Sequence, residues 1–317
     1  MNCLCCGKLL NEPAPVSGWH PACIRRFFGT KALPEIELTD EAVTLLAEKA
    51  VQKGHTVPGV QKKLSLHLSR EDTPRLTMVD YPTGYILKPQ VAEFQALPEA
   101  EHLVMQMAEA AGISVVPHAL VQLKNGYAYL TQRVDRLRGQ DEHRMEMLAM
   151  EDFCQLDLRL TQDKYRGSYE RCARVIQRYS SRPGLDMSEL FLRLVFCFLT
   201  GNSDMHLKNF SLIETAPESG IYILSPAYDL LPVNVIMPED REEFALTMNG
   251  KKTNLRRNDF LVFAESSGIP RKAAGTMMER MIGHTSQWLQ MCASSFLPVD
   301  LKQQLTELIQ IRTERIS

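Results

Sequence analysis

The chain has almost no net charge: 36 Lys and Arg against 38 Asp and Glu leave −2 at pH 7 over 317 residues. That removes the broad basic face on which direct nucleic-acid binding depends. No apolar run reaches membrane-spanning length. The run from Leu190 to Leu199, with Arg193 as its one charge, suits a buried helix and is too short for a bilayer. Met1-Asn2-Cys3-Leu4-Cys5-Cys6 has neither the charged nor the apolar region of a signal peptide, so a cytoplasmic chain with reduced cysteines is expected. Internal repeats, low-complexity tracts and a G-x-G-x-x-G fingerprint are all missing. What remains is an ordinary globular composition, long enough for about two domains.

Four of the eight cysteines fall within the first 23 residues. Cys3-x-x-Cys6 and His20-x-x-Cys23 make two half-sites, a soft four-ligand set suited to structural Zn²⁺. Cys5 competes with Cys6 for a place in it, and a reduced, metal-free cap is the alternative. Few apolar residues precede Ile24, which favours a metal as the ordering element. Cys154, Cys172, Cys197 and Cys292 are scattered and read as small core residues. Residues 1–40 thus stand apart as a Cys/His-rich segment.

Residues 41–135 read as a small sheet lobe. Ala42, Leu45, Leu46 and Val51 suggest a short amphipathic helix. The stretch 54–64 then turns into an alternating strand at Leu64, Leu66 and Leu68. With Lys62 and Lys63 beside it, this turn, including Thr56, Gly59 and Gln61, is a candidate cover for nucleotide phosphates; a plain β-turn competes. Residues 75–79 and 85–88 read as strands joined by Pro82-Thr83-Gly84. Residues 119–123 and 127–130 flank Asn125-Gly126, a strong hairpin signal. With a helix starting near Leu97, this makes five antiparallel strands and one helix. Lys88 ends an apolar strand, where an unpaired ammonium is costly, and Glu101 in the helix's first turn is positioned to pair with it. The segment 132–136 is the natural hinge, where an adenine would meet backbone near Gln132 and Val134.

Residues 136–317 read as mostly helical, with helices at 150–158, 169–179, 187–199, 271–293 and 301–315 and a solvated charged loop at 239–243. The expected fold class is α+β and bilobal, a small antiparallel-sheet lobe followed by a larger helical one.

The stretch Gly201-Asn202-Ser203-Asp204-Met205-His206-Leu207-Lys208-Asn209-Phe210 follows the apolar run. Gly201 can take the left-handed conformation that ends helices, and 210–213 reads as a strand. Asp204, His206, Lys208 and Asn209 therefore sit on a loop held between two core elements, where catalytic groups are usually found. An Asp followed five residues later by an Asn resembles a protein-kinase catalytic loop. There the Asp accepts the substrate hydroxyl proton and the Asn amide oxygen holds Mg²⁺. Asp229, in Ser225-Pro226-Ala227-Tyr228-Asp229, is placed to add a second Mg²⁺ ligand. The plainer alternative is that Asp204 and Asn209 only satisfy backbone groups of a tight turn.

The motifs stand in a telling order: 56–64 (TVPGVQKKL), 86–89 (ILKP), 133–136 (RVDR), 151–155 (EDFCQ), 201–210 and 225–229. In them the chain resembles the HipA family, bacterial Ser/Thr kinases of toxin–antitoxin systems. The resemblance implies Asp204 as catalytic base with His206 and Lys208 in the same block, and Asn209 and Asp229 as Mg²⁺ ligands. It implies Lys88 on the ATP phosphates with Glu101 as its partner. Thr56 falls where family members carry a Ser whose autophosphorylation opposes ATP binding; Thr there, Pro58 nearby, and Val134 in place of a frequent Phe are departures. The segment before Thr56 is too short for the family's N-terminal subdomain. In that respect the chain is similar to the short HipT type, whose missing piece is a separate HipS-like antitoxin. The resemblance thus implies an ATP- and Mg²⁺-dependent toxin kinase acting on an aminoacyl-tRNA synthetase or other translation factor. Its partners would be a HipS-like antitoxin and a HipB-like DNA-binding protein, with no membrane and no direct nucleic-acid contact. A small-molecule phosphotransferase, and a catalytically inactive partner of a DNA-bound antitoxin complex, are the competing expectations.

Overall fold

A computed structural model describes residues 1–12, 14–36, 63–69, 74–77, 84–124, 126–138 and 145–317. The helix expected near 42–53 and the turn carrying Thr56, Gly59 and Gln61 lie outside the described residues. The chain divides into two units, 1–102 with 116–136, and 103–115 with 137–317. The fold is α+β, a sheet unit and a mostly helical one, as expected.

The sheet of the first unit comprises β1 (Glu35–Ile36), β2 (Leu64–Ser69), β3 (Arg75–Thr77), β4 (Tyr85–Pro89), β5 (His118–Leu123) and β6 (Gly126–Gln132), in the order β1-β3-β2-β4-β6-β5. Period two shows in β2, where Leu64 and Leu66 are buried and Ser65 is exposed. The hairpin is in place: β5 and β6 pair from His118↔Thr131 to Leu123↔Gly126. Gly126 has φ +125°, open only to glycine without strain, and a β-carbon there would touch nothing.

Two expectations are corrected. Among the described residues the sheet has six strands rather than five, because Glu35–Ile36 adds to β3 in parallel. And β3 does not neighbour β4: β2 lies between and pairs antiparallel with both. The turn between 75–79 and 85–88 does not make them a pair, because β2 is long enough to offer Leu64–Leu66 to β4 and His67–Ser69 to β3.

The second unit centres on the helix Pro183–Thr200, which starts with Pro in its first turn and closes at Gly201 (φ +76°). Leu190, Phe191 and the run from Leu194 to Leu199 are buried. Phe196 meets Trp288 edge-on at 5.4 Å, and Phe198 meets Phe260 at 5.3 Å. The indole of Trp288 donates to the carbonyl of Met107 at 3.1 Å. Arg193, the one charge in the run, is buried too. It donates to Glu189 at 3.0 Å and to the carbonyl of Ser225 at 2.7 Å, so it ties the core helix to the segment that carries Asp229.

The strands β7 (Arg136–Arg138) and β8 (Met145–Met147) form a small pair. The helix expected at 150–158 is instead β9 (Met150–Asp152) followed by a helix at Phe153–Leu156. Asp152 accepts from the Gln155 N–H at 2.9 Å and its own N–H donates to the Gln155 side chain at 3.1 Å; this reciprocal cap starts the helix after the strand. β9 pairs with β10 (Ser211–Glu214), which pairs with β11 (Tyr222–Leu224). Residues 271–293 form two helices, Arg271–Ile282 and Thr285–Ser294, interrupted at Gly283 and His284. Helices Tyr169–Tyr179 and Val299–Ile316 match expectation, and Arg257–Ser266 adds one that had gone unread. Among the described residues no helix is long and apolar enough to cross a membrane.

Candidate active site

The loop after Gly201 is fixed by its own backbone. Asn202 is buried and accepts the Asp204 N–H on its side-chain oxygen at 3.2 Å; the His206 N–H donates to the Asp204 carbonyl at 2.8 Å. The Asn209 amide nitrogen donates to that same carbonyl at 2.9 Å. Engaging the nitrogen leaves the amide oxygen of Asn209 as the atom that could take a ligand. A second set of bonds holds the loop from outside. Ser203 donates to Asp240 at 2.6 Å, the Gly201 carbonyl accepts from the Asn234 N–H at 3.0 Å, and Arg312 donates to the Asn234 side chain at 2.6 Å.

The carboxylate of Asp204 is half-buried and accepts from the hydroxyl of Tyr165 at 2.7 Å. Burial pushes its pKa above the usual carboxylate range, and the charges of Asp229 and Asp240 act in the same direction. The Tyr165 hydrogen bond and Lys164 oppose them. Asp229 has φ +55°, a left-handed backbone that a non-glycine residue adopts at a cost of about 1 kcal/mol or more. Beside it, Tyr228 bonds Ser211 at 2.6 Å and donates to the Lys208 carbonyl at 3.1 Å, which links the Asp229 segment to the loop.

Asp204, Asn209 and Asp229 are thus brought together in the second unit. Lys208 belongs to the same loop, but its ammonium pairs with Asp152 at 2.5 Å. His206 is buried, edge-on to the ring of Tyr165 at 5.0 Å. Asp240 and Glu243, expected in a solvated run, are instead structural: Glu243 is buried and accepts the Leu255 N–H at 2.8 Å.

In the first unit Lys88 and Glu101 are both buried and pair at 2.5 Å, with the Lys88 ammonium 5.2 Å from the centre of the Tyr129 ring. Next to Glu101, His102 meets His118 at 3.0 Å between Nδ1 atoms. Burial holds both imidazoles neutral, His118 down to about 3, so one ring donates and the other accepts. The Gln132 side chain donates to the Phe27 carbonyl, and its N–H goes to Pro117 at 3.0 Å. The Arg133 N–H goes to Gly84 at 2.9 Å, and Val134 is half-buried. At the N-terminus, the ligand atoms of Cys3, Cys6, His20 and Cys23 all lie within 4.8 Å of one another. Cys5 is not in that set.

Sequence reading missed Tyr165, Asp152 and Asp240 as neighbours of the loop. Tyr165 and Asp240 are remote along the chain, Tyr165 by 39 positions from Asp204, and stand in unremarkable local patterns; Asp152 lies in the 151–155 motif, but nothing in that motif names Lys208 as its partner. A tyrosine with no motif around it carries no signal until the fold brings it to a carboxylate.

Several known proteins are similar. A protein of Haemophilus influenzae, described as a kinase by inference, is 27% identical over 92% of this chain and 90% of its own length. Two Sinorhizobium fredii proteins with the same inferred description, Y4mE and Y4dM, are 30% and 32% identical. The chain spans about half the length of those two, 55% and 54%. Among solved structures, the Shewanella oneidensis toxin–antitoxin complex of HipA, HipB and operator DNA matches with a TM-score of 0.70 at 19% identity, over 85% of this chain and 70% of that one. The Helicobacter pylori proinflammatory kinase CtkA matches at TM-score 0.55 and 16% identity, over 76% and 90%. At these identities the structures show a shared kinase-like fold. The sequence profile of the HipA-like C-terminal domain matches residues 55–289, and the chain belongs to that family.

Proposed function

We propose that this chain is a Mg²⁺- and ATP-dependent Ser/Thr protein kinase, acting in the cytoplasm as the toxin of a toxin–antitoxin system. The observation that supports the reading is that, within one unit, Asn209 bonds the Asp204 backbone and the charge of Asp229 reaches the Asp204 carboxylate. The donor set fits the metal. Oxygen ligands are what Mg²⁺ takes, and the mutual repulsion of Asp204, Asp229 and Asp240 is what a divalent cation relieves.

Asn209 and Asp229 would hold Mg²⁺, whose chemistry when bound is to neutralise phosphate charge. Asp204 would orient the substrate hydroxyl and take its proton, and its raised pKa makes it a better base than a free carboxylate. Lys88, steered by Glu101, would steady ATP phosphate oxygens. With the N–H groups of Gln132 and Arg133 engaged inside the sheet, Val134 is the stronger candidate for the adenine edge. Thr56, Gly59 and Gln61 would form the phosphate loop, with Thr56 as the autophosphorylation candidate. His206 and Lys208 would act by bracing the loop, Lys208 through Asp152.

The substrate we propose is a translation factor, an aminoacyl-tRNA synthetase among the candidates, modified on a serine. The partners we propose are a small HipS-like antitoxin and a HipB-like DNA-binding protein; the match to a HipA solved with HipB and operator DNA supports the second. The test is to incubate the full chain with γ-labelled ATP in cell lysate. A discrete labelled protein, Mg²⁺-dependent and missing with Asp204→Asn, is expected. Label appearing only in small molecules, or unchanged in the variant, contradicts the reading.

A further inference from the structure

Nothing in the kinase reading uses the N-terminal cluster, yet its geometry is that of a built site. The turn Cys3–Gly7 is closed by the Gly7 N–H donating to the Cys3 carbonyl at 2.9 Å, with Gly7 left-handed at φ +68°. It sets Cys3 and Cys6 toward the start of the helix Pro21–Phe28, which presents Cys23 one turn in. His20, immediately before that helix, sits 3.4 Å from Cys6 Sγ and 3.9 Å from Cys23 Sγ through Nδ1. Its other nitrogen, Nε2, meets the Leu9 carbonyl at 3.1 Å. A carbonyl can only accept, so Nε2 carries the proton and Nδ1 offers its lone pair to the sulfurs. The His20 N–H also donates to Cys3 Sγ at 3.4 Å, as a backbone amide does toward a thiolate ligand.

Zn–S bonds of about 2.3 Å and Zn–N bonds of about 2.0 Å put tetrahedral ligand atoms roughly 3.5–3.8 Å apart. The four atoms here span at most 4.8 Å, so closing on an ion takes a shift of about 1 Å or less per ligand.

We propose that Cys3, Cys6, His20 and Cys23 bind one structural Zn²⁺, and that this ion pins the N-terminal segment across the open edge of the sheet. β5 is an outer strand, and the Leu120 N–H on it donates to the Leu4 carbonyl, inside the Cys3–Cys6 turn, at 2.8 Å. From the helix, Phe28 packs on Tyr85 of β4 at 5.6 Å, and Trp19 packs on Phe27 and Phe28 at 5.6 Å each. The segment thus covers backbone groups that an edge strand otherwise offers to other chains. Leu4, Leu10, Trp19, Ile24, Phe27 and Phe28 of the segment are buried, and the ion would add to that packing the metal-binding energy that small Cys/His modules use to fold. The three thiolates and neutral imidazole select Zn²⁺ over the oxygen-seeking Mg²⁺.

The test uses the full chain with a tag free of histidine. Metal content by mass spectrometry is expected to give about one zinc per chain. Reduced, metal-stripped protein given Co²⁺ is expected to show the visible bands of tetrahedral thiolate-bound cobalt. Cys6→Ser combined with Cys23→Ser should lose both, while Cys5→Ser keeps both. Limited proteolysis should cut within residues 1–30 after zinc removal and not before. The wild-type metal content and cobalt spectrum do not depend on the variants folding. Wild-type chain that is folded by circular dichroism, contains no zinc and gives no cobalt bands overturns the proposal, as does full zinc content in the double variant. A kinase activity that fails to appear leaves this result untouched.

Discussion

Burial, Asp229 and Asp240 work against the ionised form of Asp204, while Tyr165 and Lys164 work for it. With its pKa raised on folding, Asp204 holds its proton to higher pH in the folded chain than in the unfolded one. Its ionised form therefore destabilises the fold once pH rises through the folded value. Asp204→Asn removes that charge while keeping an oxygen for Tyr165. The variant should melt at a higher temperature than wild type at pH 7, and its phosphoryl transfer should fall about 10²–10⁴-fold. A lower melting temperature contradicts the electrostatic account. Tyr165→Phe deletes a bond that favours the carboxylate, so the acid limb of the transfer rate against pH should move to higher pH; an unmoved limb means the hydroxyl does not act on Asp204.

The motif residues were legible because chemistry fixes their spacing. Asp204 and Asn209 are five apart since one turn must bring an amide to a carbonyl, and Gly201 announced itself as the residue that ends a buried helix. Tyr165 and Asp240 were not legible, and the motif holding Asp152 did not disclose its pairing with Lys208, because these roles come from tertiary contact alone.

At the scale of elements, strand β4 and the helix Leu97–Ala110 are joined by the buried Lys88–Glu101 pair. Lys88→Ala strands a carboxylate in the core and should cost about 3–5 kcal/mol in denaturant unfolding. Replacing both partners with Met and Leu should recover much of that, since apolar pairs of similar size often replace buried ion pairs without loss. Equal destabilisation by the single and double changes would refute the pairing. The same helix and β5 are joined by His102 and His118, both kept neutral. Depressed histidines contribute stability above the unfolded value of about 6.5 and lose it as pH falls toward the folded value. Urea midpoints should therefore decline from pH 7 to pH 4, and His118→Gln should flatten the decline. A wild-type midpoint that holds steady over that range contradicts the neutral pair.

Element type was read well where periodicity was long, as in Pro183–Thr200, and poorly where a cap decided it. Residues 150–158 looked helical by composition, but the Asp152–Gln155 cap starts the helix only at Phe153, and β10 claims the residues before it. The break at Gly283 and His284 is equally local. Strand order was the least legible feature, since no residue in β2 records that it will serve two neighbours.

Over the whole molecule, the two units carry distinct chemistry. The sheet unit holds a buried Lys–Glu pair and a Cys/His cluster, and the helical unit holds the oxygen donors. Family membership and the kinase-like fold are shown, and the proposed Mg²⁺ and ATP site is argued from the residue geometry on top of them. Its direct test is calorimetric titration of the folded chain with ATP, in the presence and absence of Mg²⁺, on wild type and on Asp229→Asn, a substitution that tolerates the left-handed backbone at that position. The account predicts Mg²⁺-dependent ATP binding in wild type and its loss or severe weakening in the variant. Binding that ignores Mg²⁺, or that survives unchanged in Asp229→Asn, would contradict it.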